Sequence, residues 1–245
     1  MKRSVLILFA LLLIAGPAVA AGGDKAPSLD TDDRKLSYAM GYDLGTYFKS
    51  LGENFDLSVL QRGLEDAYSG KKALMTPEEV TRVQQQFASR QQQKQIQKTV
   101  AMVQKNHKAQ EKFLQENRKK KGVVETKSGL QYKVIKQGKG PKPGKNDTVK
   151  VHYRGTLLNG SEFDSSYKRN EPAVFKVGQV ISGWQEALQL MNVGSTYELY
   201  IPANLAYGDR GAPPVIEPGS MLIFKVDLLD VTKGDTPETG KDGKK

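Results

Sequence analysis

Cysteine is absent from the 245 residues, and histidine occurs only at His107 and His152. The first absence excludes a thiol nucleophile, a Cys-ligated zinc, an iron–sulfur cluster and a cysteine-linked lipid anchor. With only two histidines a multi-histidine metal site is implausible, and no metal is expected. With no disulfide to lean on, stability must come from packing. The length suffices for that, as one large domain or two ordinary ones. No serine-nucleophile elbow or Walker loop is present. Gly138-Lys139-Gly140 is followed by Pro141, where a dinucleotide-binding turn would continue into a helix. Beyond residue 20 no run reaches eighteen apolar residues, so no stable membrane insertion is expected.

The first twenty residues read as an address. Met1-Lys2-Arg3 is basic, Val5 to Ile14 is apolar, Gly16-Pro17 breaks the run, and Ala18-Val19-Ala20 is a small-x-small cleavage site. About ten apolar residues are too few to span a bilayer. A cleavable signal peptide over 1–20 and a periplasmic destination are expected, which leaves outer-membrane or surface association open.

The net charge of +10 is unevenly spread, with thirteen Lys and Arg against four Asp and Glu over residues 71–121. These cations are mixed with Gln rather than with stacking aromatics, which argues for a solvated strut and against nucleic acid as a partner. Residues 32–50 read as an amphipathic helix, with Leu36, Met40, Leu44, Tyr47, Phe48 and Leu51 on one face. Asp56 caps a second helix that Gly70 closes. Thr76-Pro77-Glu78-Glu79 starts a third, and no Gly or Pro recurs until Gly122, which permits about 45 helical residues. Two short helices and the base of a long one are too small a core to stand alone. With Tyr38, Tyr42 and Tyr47 at exposed positions, residues 21–75 read as a homodimerisation module and 76–121 as a long connecting helix. The alternative is a monomeric helical domain packed on the rest of the chain.

From Gly122 the hydrophobic period changes from 3.6 to 2. Leu130, Tyr132 and Val134 alternate with Gln131 and Lys133. The same holds for Val149, Val151 and Tyr153, for Tyr197, Leu199 and Ile201, and for Leu222, Phe224, Val226 and Leu228. Asn159-Gly160 marks a two-residue hairpin, and Gly183 to Leu190 is the one short helical stretch. The fold class is α+β, an antiparallel sheet with one face solvated and the other wrapped on a short helix. The polar tail over 232–245 is expected to be disordered.

Residues 122–231 resemble the FK506-binding-protein (FKBP) family of peptidyl-prolyl cis/trans isomerases. The matching strings are Val151 to Leu157, Gly160 to Ser166, Val180 to Trp184, Ile201-Pro202, Leu205 to Gly208 and Leu222 to Leu229, in family order and spacing. The exported layout with a helical N-terminal half is similar to the bacterial Mip/FkpA group, on the weaker strings Leu36 to Gly41 and Gly63 to Ala67. The resemblance implies a catalytic set of Asp164, Tyr207, Ile181 and Phe224. It implies substrate contacts from Tyr153, Phe163, Val180, Trp184, Val215, Ile216 and Phe175. Trp184 would be the floor, and the Tyr207 hydroxyl and Ile181 N–H the polar handles. It also implies clients with Xaa-Pro bonds and, as candidate ligands, macrolides of the FK506/rapamycin type. Ala173 and Ala212 depart from the family at the pocket rim. Taken one at a time, Phe163, Trp184 and Phe224 read as core, Asp164 as a turn residue and Tyr207-Gly208 as a loop dipeptide. Their joint order carries the resemblance. Both histidines read as surface residues.

Such a pocket needs no nucleophile, metal or cofactor, because no bond is broken. A prolyl amide rotates against a barrier of ~18–20 kcal/mol, through a state in which C–N resonance is lost. Water favours the planar, more polar amide; an aromatic-lined site with a few fixed dipoles removes that preference. Lowering the barrier by roughly 5–8 kcal/mol accelerates rotation about 10⁴–10⁶-fold. The expected function is therefore a dimeric foldase with chaperone activity on unfolded or partly folded exported proteins. The alternative is a holdase chaperone in which isomerisation is secondary.

Overall fold

The computed structural model describes residues 27–234. The expected signal peptide and the tail from residue 235 lie outside the described residues. The chain divides into two compact units that part between Thr76 and Pro77.

The first unit contains α1 (Asp32–Ser50) and α2 (Leu57–Tyr68). Thr31 caps α1 by accepting the Arg34 N–H at 3.3 Å, and Asp32 and Asp33 face the positive end of the helix dipole. Asp56 caps α2 through the N–H groups of Ser58 and Val59, and Gly70 follows its end at φ +66°. The rings of Tyr47, Phe48 and Phe55 form a chain at 5.7 and 5.0 Å. No residue of α1 is buried, and the one buried residue of α2 is Asp66, gripped by both Arg62 Nε contacts at 2.8 and 2.9 Å. Leu36, Met40, Leu44, Tyr47 and Leu64 stay exposed while Phe48 and Leu51 are half-buried, so most of the apolar face that the sequence predicts is uncovered in the single chain.

The second unit begins with α3 (Pro77–Asn117), 41 residues and about 60 Å long at ~1.5 Å per residue. Seven strands follow: β1 (Val123–Glu125), β2 (Gln131–Lys136), β3 (Thr148–Leu157), β4 (Glu162–Ser165), β5 (Ala173–Lys176), β6 (Thr196–Ile201) and β7 (Leu222–Thr232). They make one antiparallel sheet in the order β1-β2-β6-β7-β3-β4, with β5 also paired to β3. The expected Asn159-Gly160 hairpin joins β3 to β4: Gly160 lies at φ +85°, and Leu157 exchanges backbone hydrogen bonds with Gly160 and Ser161 at 2.9 Å. The short helix α4 (Ser182–Leu190) packs on one face of the sheet. Its Trp184, Ala187 and Leu188 bury with Val151, Leu199, Ile201, Leu222, Val226 and Leu228 in the core. The alternation read from β3 and β7 is the alternation observed, and in β6 it holds as far as Leu199 and breaks at the buried Tyr200.

The face expected to be solvated is partly covered. Tyr200 is buried there against Phe113 of α3, with centroids 5.6 Å apart. Gln131, assigned by its period to the solvent face, is fully buried. Its amide donates to the Leu114 carbonyl at 2.9 Å and to Glu125 at 2.6 Å, and its oxygen accepts from the buried Asn117 at 3.0 Å. The end of α3 is thus stitched to β2 by polar groups, which hydrophobic periodicity does not reveal. At the other terminus Asp147 accepts from Lys233 and from the Gly234 N–H, so residues 232–234, expected in the tail, are held.

Candidate functional site

A cavity of about 360 Å³ opens between the sheet and the start of α4. Trp184 lies across it, 4% exposed. Three rings meet it edge to face: Tyr153 at 5.4 Å, Phe175 at 5.7 Å and Phe224 at 5.2 Å. Phe163 stands perpendicular to Phe224 at 5.5 Å. These are favourable geometries for ring quadrupoles. The sheet register sets them up. Gly155 of β3 faces Phe224 of β7, and a Cβ at Gly155 would stand 2.6 Å from the Phe163 ring and 2.8 Å from that of Phe224. The glycine makes room for the two rings to close the cavity wall.

One edge is polar. Tyr153 Oη donates a hydrogen bond to Asp164 Oδ2. Arg169 spans both groups, Nη1 to Asp164 Oδ1 at 2.6 Å and Nη2 to Tyr153 Oη at 3.0 Å. Burial pushes the Asp164 carboxyl up, but the hydrogen bonds from Tyr153 and Arg169 outweigh it and hold the group below its ordinary range. Burial and the carboxylate beside it raise the Tyr153 hydroxyl, so it stays a proton donor at neutral pH. The result is a fixed carboxylate and a fixed O–H dipole beside an apolar chamber.

Ile181 is the N-cap of α4, and its carbonyl accepts the Trp184 and Gln185 N–H groups at 2.9 and 3.0 Å. Its own N–H precedes the helix and takes no part in that ladder. Gln185 fixes the preceding residue by donating to the Val180 carbonyl at 2.8 Å. Tyr207, 44% exposed, forms the opposite rim.

Nine of the eleven residues expected from the sequence line this cavity: Tyr153, Phe163, Asp164, Phe175, Val180, Ile181, Trp184, Tyr207 and Phe224. Val215 and Ile216 do not. Ile216 is buried in the core and bridges Ala212 in a tight loop, and Val215 beside it is 52% exposed. Sequence reasoning missed Gln179, which lines the wall, and Arg169, which orders the polar edge. Arg169 follows Asp164 by five residues through a turn, and no period marks such a return. The histidines expected at the surface have partners: His107 Nε2 lies 2.7 Å from Asp209, and His152 stacks on Tyr167 at 4.8 Å.

Residues 140–229 match the family described as FKBP-type peptidyl-prolyl cis-trans isomerase, and residues 33–134 match the domain amino terminal to it. The chain is 44% identical over 228 residues to "Outer membrane protein MIP" of Legionella longbeachae, covering 93% of this chain and 97% of that one. It is 44% identical over 233 residues to "Peptidyl-prolyl cis-trans isomerase Mip" of Coxiella burnetii, covering 95% of this chain and all of the relative. The crystal structure of FkpA from Escherichia coli superposes with a TM-score of 0.71 at 37% identity, covering 85% of this chain and 100% of that one.

Proposed function

The chain belongs to the FKBP-type peptidyl-prolyl cis–trans isomerases, and from that premise we propose an exported foldase that works as a homodimer and isomerises Xaa-Pro bonds in the aromatic cavity. The carrying observation is the cavity itself: six aromatic side chains line one chamber, with the Tyr153–Asp164–Arg169 edge on one side.

A proline ring fits against Trp184, between Phe224, Phe163 and Tyr153. Its amide leaves water, and with it the solvation that favours the planar form. The twisted amide has a carbonyl of more ketone-like charge and a pyramidal nitrogen. The fixed Asp164 carboxylate and Tyr153 hydroxyl supply a preorganised field at the carbonyl that rotates, which costs no reorganisation as it turns. The Ile181 N–H and the Tyr207 hydroxyl hold the neighbouring carbonyls, so that one side of the bond is anchored while the other moves. No bond is broken, and no proton changes owner.

The family assignment does not favour a holdase in which isomerisation is secondary. The dimer is supported by the uncovered apolar face of α1 and α2, which a second copy would bury, and residues 21–75 are its proposed seat. Export to the periplasm is supported by the basic-apolar-small pattern of residues 1–20, and no helix among the described residues is long and apolar enough to cross a membrane. FK506-type macrolides are proposed ligands of the same cavity; Ala173 and Ala212, the departures from the family, are not among the residues that line it. A protease-coupled proline-switch assay on the chain from Ala21 onward tests the proposal. Catalysis that falls in Asp164→Asn and Tyr207→Phe supports it, and activity indifferent to both places the reaction elsewhere.

A further inference from the structure

Between β6 and β7 the chain runs for twenty residues, with two short 3₁₀ turns (Ala203–Leu205 and Gly208–Arg210) and the Ala212–Ile216 bridge. This loop brings Tyr207 to the pocket rim. A connection so long and so poor in regular structure is normally mobile. Here it lies against α3, and the contacts fall at its beginning, middle and end.

At the beginning, Ala203 is 1% exposed, and its N–H is satisfied by Gln110 Oε1 at 2.7 Å. In the middle, two residues past Tyr207, Asp209 meets His107 Nε2 at 2.7 Å. At the end, Asn106 Nδ2 donates to the Pro218 carbonyl at 2.9 Å. Gly219 follows at φ +74°, so close to α3 that a Cβ would stand 3.1 Å from both Val103 Cα and the His107 ring. The Gly219 N–H donates to the Gly208 carbonyl at 3.0 Å, tying the exit back to the residue after Tyr207. Val103, Asn106, His107 and Gln110 are spaced i, i+3, i+4 and i+7, one face of two helical turns. Three of the four act through directional polar bonds, which fix a position more narrowly than apolar packing does.

We propose that this face of α3 is a brace for the active-site loop, with Asn106, His107 and Gln110 as positioning residues that hold Tyr207 where it meets substrate. The connecting helix thereby contributes to catalysis without touching the reacting amide. This inference rests on the isomerase reading of the cavity for its catalytic half. Its structural half, loop order set by α3, stands without it.

The experiment combines peptide isomerisation with amide hydrogen exchange on the chain from Ala21 onward. Gln110→Leu and the double variant Asn106→Ala/Gln110→Leu remove the anchors. Gln110→Glu keeps an acceptor for the Ala203 N–H. Expected are faster exchange confined to residues 203–219, unchanged protection in the β3–β7 ladder, and a fall of about ten-fold in kcat/KM in the double variant, most of it in KM. Gln110→Glu should return to within about two-fold of the parent. Faster loop exchange with unchanged kcat/KM overturns the catalytic role. Unchanged loop exchange overturns the brace. Equal impairment in Gln110→Glu and Gln110→Leu overturns the hydrogen bond as its cause. Should a variant lose ladder protection and unfold, Gly219→Ala separates helix from loop on the other side and must show the same confined exchange. Exchange is read without substrate, so an inactive parent counts against the isomerase reading alone.

Discussion

Replacing Asp164 by Asn tests the polar edge with almost no change in volume. In the parent, the carboxylate accepts from Tyr153 Oη on one oxygen and from Arg169 Nη1 on the other. Asn offers one acceptor, and its NH₂ faces a donor on the side it loses. A hydrogen bond to a charged group contributes roughly 1.5–3 kcal/mol when buried. Asp164 and Arg169 keep 41% and 52% side-chain exposure, so solvent screening brings the expected loss down to about 1–2 kcal/mol. Lost in full from the transition state, that energy is roughly a five- to thirty-fold fall in kcat/KM. The pH dependence has a definite sign. The folded carboxyl is held below its ordinary range, so its contribution is complete above that range and is lost only as pH falls through the depressed value. Activity of the parent should therefore be flat in this group from about pH 6 to 8, and the deficit of the variant constant across that window. A protease-coupled assay with a short Xaa-Pro peptide reads both quantities. Full activity in Asp164→Asn, or a deficit that vanishes within the window, refutes the role assigned to the carboxylate.

Gly155→Ala should push the Phe163 and Phe224 rings apart and cost about 1–3 kcal/mol of stability together with most of the activity, measured by urea unfolding and peptide turnover. Leu44→Asp or Phe48→Asp on α1 should yield monomers or unfolded N-terminal units in sedimentation, since either puts a charge on the face proposed to meet the second copy. Asp147 is held down to about 2 by the Gly144 N–H, Lys233 and the Gly234 N–H. Its contribution is complete above the unfolded carboxylate value and fades as pH falls toward 2, so Asp147→Asn should lower stability at pH 7 and flatten the acid limb of the stability curve.

Much of this molecule was legible as pattern. The 3.6 period placed α1 between Asp32 and Ser50, and the change to a period of 2 marked the sheet and its core alternation. The pocket was legible through resemblance, because single aromatics in strands look like any core. What escaped lies in polar, non-local contacts. Gln131 reads as a solvent-facing strand residue, yet it is buried because α3 ends above it. Arg169 reaches Asp164 across a turn whose course has no periodic signature. His107 reads as a surface histidine on a helix, and its Asp209 partner lies more than a hundred residues away. Val215 and Ile216 came from the resemblance alone, and neither is among the residues that line the cavity.

The central claim is that the cavity catalyses rotation rather than merely binding proline segments. Exchange spectroscopy by NMR on an Xaa-Pro peptide with a catalytic amount of the chain separates the two. Cis–trans exchange should speed up by orders of magnitude while the cis fraction of the free peptide stays the same, and the acceleration should collapse when the aromatic wall is opened by Phe224→Ala. Binding of the peptide with no acceleration of exchange would contradict the claim.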